Sequence, residues 1–328
     1  MSGDEMPRPV GEKSLYPLIR NLFEEEFKGG DLFITSHRKG ESPFGIEVGG
    51  KKRILDVAAF GQKGDEIFCC AVECKSSSVG MGLEQAISYQ VVFPTVYVAT
   101  KKEEKASHWK KVLETLGLGY LAEGREILPP SRNPPSWFDR GEYKCQVERK
   151  AKLVLSFQRF LKINGSRRKM RVGRAQSPRE IWVSNQKKDK TCNFYAHLLP
   201  EGTWMGFNIQ NKKPVEGTFN EKKNEKIHEL LKEASELKGY WYFLWDKTKR
   251  GSKPGEKPVM EGRVEDLEWR RLKEEIERLE YKVCFQVAKK LPLSELDEMP
   301  MEEVAKFLQK THEEIQGLFG CVPEKFWK

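Results

Sequence analysis

Two Pro-Pro pairs, Pro129-Pro130 and Pro134-Pro135, stand inside the run Gly124 to Trp137. No helix or central strand passes through such a run, because each proline lacks an amide hydrogen and fixes its own φ. The chain must fold on either side of it. Reading 124–137 as a Pro-rich linker leaves residues 1–123 before it and 138–328 after it, each long enough to bury its own core, so two domains with separate tasks are expected.

Composition then removes several classes of function. Charged residues make up 33% of the chain and hydrophobic ones 38%, and no apolar run approaches the ~20 residues that span a bilayer. No membrane partner is expected. Met1 to Arg20 mixes Asp4, Glu5, Arg8, Glu12 and Lys13 with no central apolar block, unlike a secretory signal, so the expected location is cytoplasmic. The seven cysteines form no Cys-x-x-Cys pair and the five histidines are dispersed. That pattern predicts reduced, buried thiols and no histidine-based metal site.

The net charge of +9 is unevenly spread. From Arg149 to Lys190 fourteen Lys or Arg face two acids, Glu180 and Asp189, so this segment carries +12 and everything else sums to −3. A basic region of this density is either a solvated surface or a phosphate-binding one.

Hydrophobic periodicity divides the first part into a helix over Glu12–Phe27 closed by Gly29-Gly30, one or two short strands within 31–48, and strands Arg53–Phe60 and Glu66–Lys75 joined by Gly61 to Asp65. A helix over Gly82–Phe93, a strand at Thr95–Thr100, a helix over Glu103–Leu116 and a strand at Gly117–Leu121 follow. This order predicts an α/β domain, a mixed sheet flanked by helices on both faces. The second part reads as a helix over Gln146–Ile163, a basic loop Asn164–Arg179, and an antiparallel meander over Glu180–Val183, Cys192–Leu199 and Thr203–Ile209. Then come a helix over Glu221–Leu237, a strand at Tyr240–Trp245 and two C-terminal helices, Val264–Lys290 and Met301–Phe319. That is an α+β pattern, and its many aromatics, from Trp182 to Trp245, are expected mostly in the core, with outward-facing alternates free to stack on unpaired bases.

Chemistry concentrates on the hairpin. If it is centred between Gly64 and Asp65, residues whose numbers sum to 129 face each other, and Asp56 falls opposite Glu73. Cross-strand partners have Cβ atoms about 5 Å apart, and magnesium takes oxygen ligands at ~2.1 Å, so two such carboxylates are placed to share a divalent cation. Strand alternation puts Lys75 with Glu73 and turns Val72 and Cys74 to the opposite face. On Leu15, Ile19 and Leu22's helical stripe stands Glu12, read either as a further acid for that site or as a helix-dipole partner.

Ile54-Leu55-Asp56, a turn, and then Val72-Glu73-Cys74-Lys75 resemble the PD-(D/E)xK nuclease superfamily, with Leu55 in place of the motif's proline. Gln85 and Tyr89, four apart on the next helix, are similar to the Gln-x-x-x-Tyr of its RecB-type and Mrr-type branches. The resemblance covers roughly residues 8 to 123 and implies a restriction-endonuclease-like core and a metal-dependent endonuclease acting on nucleic acid, DNA first of all. It implies Asp56, Glu73 and Glu12 as ligands of Mg2+ or Mn2+, Lys75 as the catalytic cation, and Gln85 and Tyr89 as supports of the site and the nucleic-acid backbone. Many relatives cut as dimers, which leaves a homodimer open. The alternative is a nucleic-acid-binding protein that has kept the fold without the activity. Beside such a domain the basic run of Arg167, Arg168, Lys169, Arg171 and Arg174 is expected to contact phosphates.

Overall fold

The computed structural model describes residues 11–37, 41, 44–48, 51–64, 66–105, 107–131, 141–163, 169–172, 180–184, 192–199, 202–219, 221–236, 239–246, 258–279 and 283–322. The chain is mixed α/β and divides into two compact units. One division falls between Leu155 and Ser156, inside a helix that runs from Gly141 to Ile163, and a short stretch beginning at Val172 is counted with the first unit again. Residues 124–131 of the Pro-rich run expected as the linker fall within the first unit's span, and 132–137 lie outside the described residues. Among the described residues no helix is long and apolar enough to cross a membrane.

The first unit opens with a 3-10 turn, Glu12–Ser14, and α1 (Tyr16–Glu26), then β1 (Asp31–Ser36), β2 (Gly45–Val48), β3 (Lys51–Ile54), β4 (Val57–Lys63) and β5 (Glu66–Lys75). A second 3-10 turn, Gly80–Gly82, leads into α2 (Leu83–Gln90), β6 (Thr95–Thr100), α3 (Ser107–Leu116), β7 (Gly119–Ala122), β8 (Arg125–Leu128) and α4 (Gly141–Ile163). Six strands form one sheet in the order β1-β4-β5-β6-β7-β8. β4 pairs antiparallel with β1 and β5, whereas β5-β6-β7 run parallel. The β4–β5 ladder has the expected register, from Val57↔Val72 to Lys63↔Glu66. Gly64, at φ 62°, takes the left-handed conformation that a tight hairpin requires.

Alternation along β5 sorts its side chains between two layers. Val72 and Cys74 are fully buried under α1, with Leu15, Tyr16, Ile19 and Phe23. The other face, which carries Glu73, receives α2, and Phe60 there packs against Phe44 and Phe93 with ring centroids 5.1 and 6.2 Å apart. Burying each such side chain contributes about 1.5 to 3 kcal/mol, so the central strands are held from both sides.

Two sequence expectations change here. The strand expected over Arg53–Phe60 is broken at Leu55-Asp56, because β3 leaves the sheet to pair with β2 in a separate two-stranded ribbon. The helix expected from Glu12 begins as a 3-10 turn, and Pro17 enters the first turn of α1.

The second unit holds β9 (Lys169–Val172), β10 (Glu180–Ser184), β11 (Cys192–Leu199), β12 (Gly202–Gln210), α5 (Lys212–Thr218), α6 (Glu221–Glu236), β13 (Tyr240–Asp246) and β14 (Met260–Arg263). α7 (Trp269–Arg278), β15 (Val283–Leu291), α8 (Leu293–Glu298) and α9 (Met301–Cys321) complete it. Its seven strands lie in the order β14-β13-β15-β12-β11-β10-β9, so the expected meander is present. The long helix expected over Val264–Lys290 is not. α7 stops at Arg278, and β15 runs between β12 and β13 with Val283 to Ala288 all buried. Their β-branched and aromatic side chains suit a strand filled on both faces. A strand, β9, likewise interrupts the basic segment expected as a loop.

One face of this sheet packs on helices, with Phe207 against Phe319 and Phe285 against Phe219, each pair with centroids 5.0 Å apart. The other face gathers Tyr195, Trp204, Phe243 and Ala288. Of the expected aromatics, Phe194, Tyr195, Trp204, Phe207, Tyr240, Tyr242 and Phe243 are core residues, while Trp241 and Trp245 are half-buried. Cys69, Cys70, Cys74, Cys192, Cys284 and Cys321 are buried free thiols.

Candidate active site

Asp56 stands one residue beyond the last ladder pair, Val57↔Val72, and so borders Glu73. It does not sit in the sheet as a face residue. Leu55 donates its N–H to Phe44 and leaves the β4–β5 ladder, while Asp56 accepts the His37 N–H and carries the β1–β4 register one residue further. The ladder consequently ends, and the Asp56 carboxylate replaces a main-chain acceptor: Oδ2 accepts the Cys74 N–H at 2.9 Å. Oδ1 accepts the Tyr16 hydroxyl at 2.9 Å. Both oxygens are thus fixed by groups from α1 and β5, a fit that a backbone amide at a strand end requires.

Glu73 lies on the face toward α2 and is 1% exposed. Its Oε2 accepts the Tyr89 hydroxyl at 2.8 Å and its Oε1 meets Lys75 Nζ at 2.5 Å. Gly82 makes the approach possible, since a Cβ there would lie 3.3 Å from Cγ of both Glu73 and Lys75. Lys75 Nζ is also 4.0 Å from Glu12 Oε1.

The charges do not balance locally. Burial and then the Asp56 charge push the Glu73 carboxyl above the usual carboxylate range, against the bonds from Lys75 and Tyr89. For Lys75, burial favours the neutral amine, but the hydrogen bond to Glu73 and the charges of Glu73, Glu12 and Asp56 outweigh it and raise its pKa. Lys75 therefore stays an ammonium at neutral pH. Burial and the neighbouring carboxylates raise both phenols, Tyr16 and Tyr89, so they remain donors.

Of the residues singled out in the sequence, the fold brings together Asp56, Glu73, Lys75 and Tyr89, with Glu12 at the rim. Glu12 is turned to Lys75, and among the described residues no three His, Cys, Asp or Glu side chains are gathered to hold a metal ion. Tyr89 is fully buried, so it holds Glu73 and does not reach a nucleic-acid backbone. Gln85 lies half-exposed one turn earlier on α2. Tyr16 was not singled out, although its i+4 spacing from Glu12 was readable. Arg167, Arg168 and Arg174 lie outside the described residues, and Lys169 and Arg171 stand on the edge strand β9.

Magnesium is commonly held by one or two carboxylates, with waters and substrate phosphate completing the shell. Asp56 and Glu73 fit that donor set: both offer carboxylate oxygens, both accept a hydrogen bond from a phenol, and the Asp56 charge and burial raise the Glu73 pKa against the bonds from Lys75 and Tyr89. No protein-family model matches this chain, and comparison with curated proteins finds no relative.

Proposed function

We propose that the chain is a metal-dependent endonuclease of the PD-(D/E)xK superfamily, with a restriction-endonuclease-like first unit that hydrolyses phosphodiester bonds in DNA. The observation that carries the reading is the junction of Asp56 and Glu73 at one end of the central strand pair, with Lys75 on Glu73 at 2.5 Å. Ion pairs buried in this way cost more in desolvation than they return unless further partners complete them. A site with two acids and one ammonium is short of positive charge, and a phosphodiester with its cation supplies what is missing.

Asp56 and Glu73 would hold Mg2+ or Mn2+, which when bound polarises the phosphate and lowers the pKa of a coordinated water. Lys75, kept protonated by its neighbours, offsets charge that develops on the phosphorus oxygens as the P–O bond breaks. Tyr16 and Tyr89 keep the two carboxylates in place. The basic segment Arg149 to Lys190 supplies phosphate affinity through counterion release.

The test is incubation of the full chain with duplex, branched and single-stranded DNA, and an RNA of the same sequence, with Mg2+ or Mn2+. Endonucleolytic products that vanish with EDTA are expected. Binding without cleavage on every substrate would favour the alternative, a nuclease fold retained for binding alone.

A further inference from the structure

Strand alternation divides the second unit's sheet into two faces of different chemistry. On one, Phe207 meets Phe319, Phe285 meets Phe219, and Tyr240 donates to Glu314 of α9. The register puts Trp241, Phe243 and Trp245 of β13 on the opposite face, with Ala288 of β15 and Trp204 of β12 beside them. Trp204 meets Trp241 and Phe243 edge-on, with centroids 5.9 and 5.0 Å apart, and Phe243 stacks on Trp245 at 6.3 Å. The four rings form one aromatic strip.

Two features set this strip apart from core packing. Trp241 and Trp245 are only half-buried, so the strip reaches the surface. Two exposed cations then sit on its rings, Lys290 Nζ 5.5 Å from the centre of Trp204 and Arg263 Cζ 5.8 Å from that of Trp241. Arg263 is also 3.7 Å from Glu265, an exposed pair that holds it weakly. The Trp245 ring is fixed by its N–H on Gln286.

An apolar partner would gain from the rings and not from the cations. Nucleic acid uses both, since bases stack on aromatic faces while phosphates meet Lys and Arg. Spacing decides which form of it. Alternate residues of a strand lie about 6.8 Å apart, twice the ~3.4 Å per nucleotide of one strand in a duplex. Bases seated on Trp241, Phe243 and Trp245 would therefore be drawn apart, which a free strand allows and a stacked duplex resists. β9 and β10, which carry part of the basic segment, extend the same sheet beyond β11.

We propose that this face binds single-stranded DNA, with unpaired bases stacked on Trp241 and Trp245 and neighbouring phosphates on Arg263 and Lys290. The choice of DNA rests on the nuclease reading above. The binding itself uses no residue of the Asp56 and Glu73 site and needs no cleavage.

The experiment is a fluorescence anisotropy titration of the full chain, in EDTA, against a labelled single-stranded DNA of mixed sequence, its duplex, and the RNA of the same sequence. Trp241→Ala and Trp245→Ala should each weaken single-strand binding by about tenfold, equivalent to about 1.4 kcal/mol, and leave duplex affinity unchanged. Trp241→Phe should keep most of the affinity, since its ring still stacks. Lys290→Gln, a change to an exposed side chain, should flatten log K against log salt by about 0.7 for the single strand. Wild type that binds no single strand, Ala variants that bind it as wild type does, or an equal loss on duplex overturns the proposal. Tighter binding of the RNA overturns the choice of DNA. Self-association of the chain that Trp241→Ala abolishes, with no DNA bound, would give the face to a second copy instead. Cleavage with Mg2+ is read separately: its absence on every DNA overturns the nuclease reading and leaves single-strand binding standing, whereas cleavage by a chain that binds no single strand does the reverse.

Discussion

Each unit buries polar side chains in its central sheet, but they are completed in opposite ways. In the second unit Asn193, Asn208 and Gln286 face one another across β11, β12 and β15. Asn208 donates to Asn193 at 3.1 Å, accepts from Cys284 and Gln286, and Gln286 accepts the Trp245 indole N–H at 3.0 Å. These groups are neutral, and they satisfy one another. In the first unit the central groups are ionisable, and two acids, Asp56 on the Cys74 N–H and Glu73 on Tyr89, have one amine, Lys75, between them. A closed network specifies a structure. On the proposed reading, an open one leaves a place for a cation.

That contrast is breakable by substitution, and the largest effect should come from the cation. Lys75→Ala should lower the cleavage rate by about a thousandfold, as removal of a charge-stabilising donor does, with DNA affinity little altered. Single-turnover cleavage and a binding titration on the same protein separate the two quantities.

The phenols come next. Tyr89→Phe and Tyr16→Phe each remove one hydrogen bond from a carboxylate and should weaken metal affinity by about 10- to 100-fold, the range for groups that orient ligands. Read as a rise in the Mn2+ concentration giving half-maximal rate, the effect should be shared by both variants. A change confined to one would show that only its carboxylate is a ligand.

The smallest effect sharpens the other side. Asn208→Ala leaves Asn193, Cys284 and Gln286 short of a partner and should cost about 1 to 3 kcal/mol of stability, measured by urea unfolding. Mn2+ binding by the folded protein should be unchanged.

The difference between the two networks also explains what the sequence disclosed. The hairpin register was legible because the Gly64 turn and the ladder are local, and counting from it placed Val57 opposite Val72, one step short of the expected Asp56–Glu73 pair. The bend at Asp56 was not, since it depends on β3 pairing with β2 and on the bond from Leu55 to Phe44, contacts set by tertiary folding. Tyr16 escaped notice because a tyrosine among Leu15 and Ile19 reads as core, which it also is. In the second unit, the acidic and basic residues of α7 and the pair Lys289-Lys290 disguised β15 as the end of a charged helix. The amide ladder was invisible for a similar reason: Asn193, Asn208 and Gln286 become neighbours only once three strands are in register.

Calorimetric titration of Mn2+ into the metal-free full chain tests most directly that charge left over between Asp56 and Glu73 is there to hold a cation. Wild type should bind, and Asp56→Asn and Glu73→Gln should each weaken binding by at least about tenfold. Wild type that takes up no Mn2+, or variants that bind it as well as wild type does, would contradict the account.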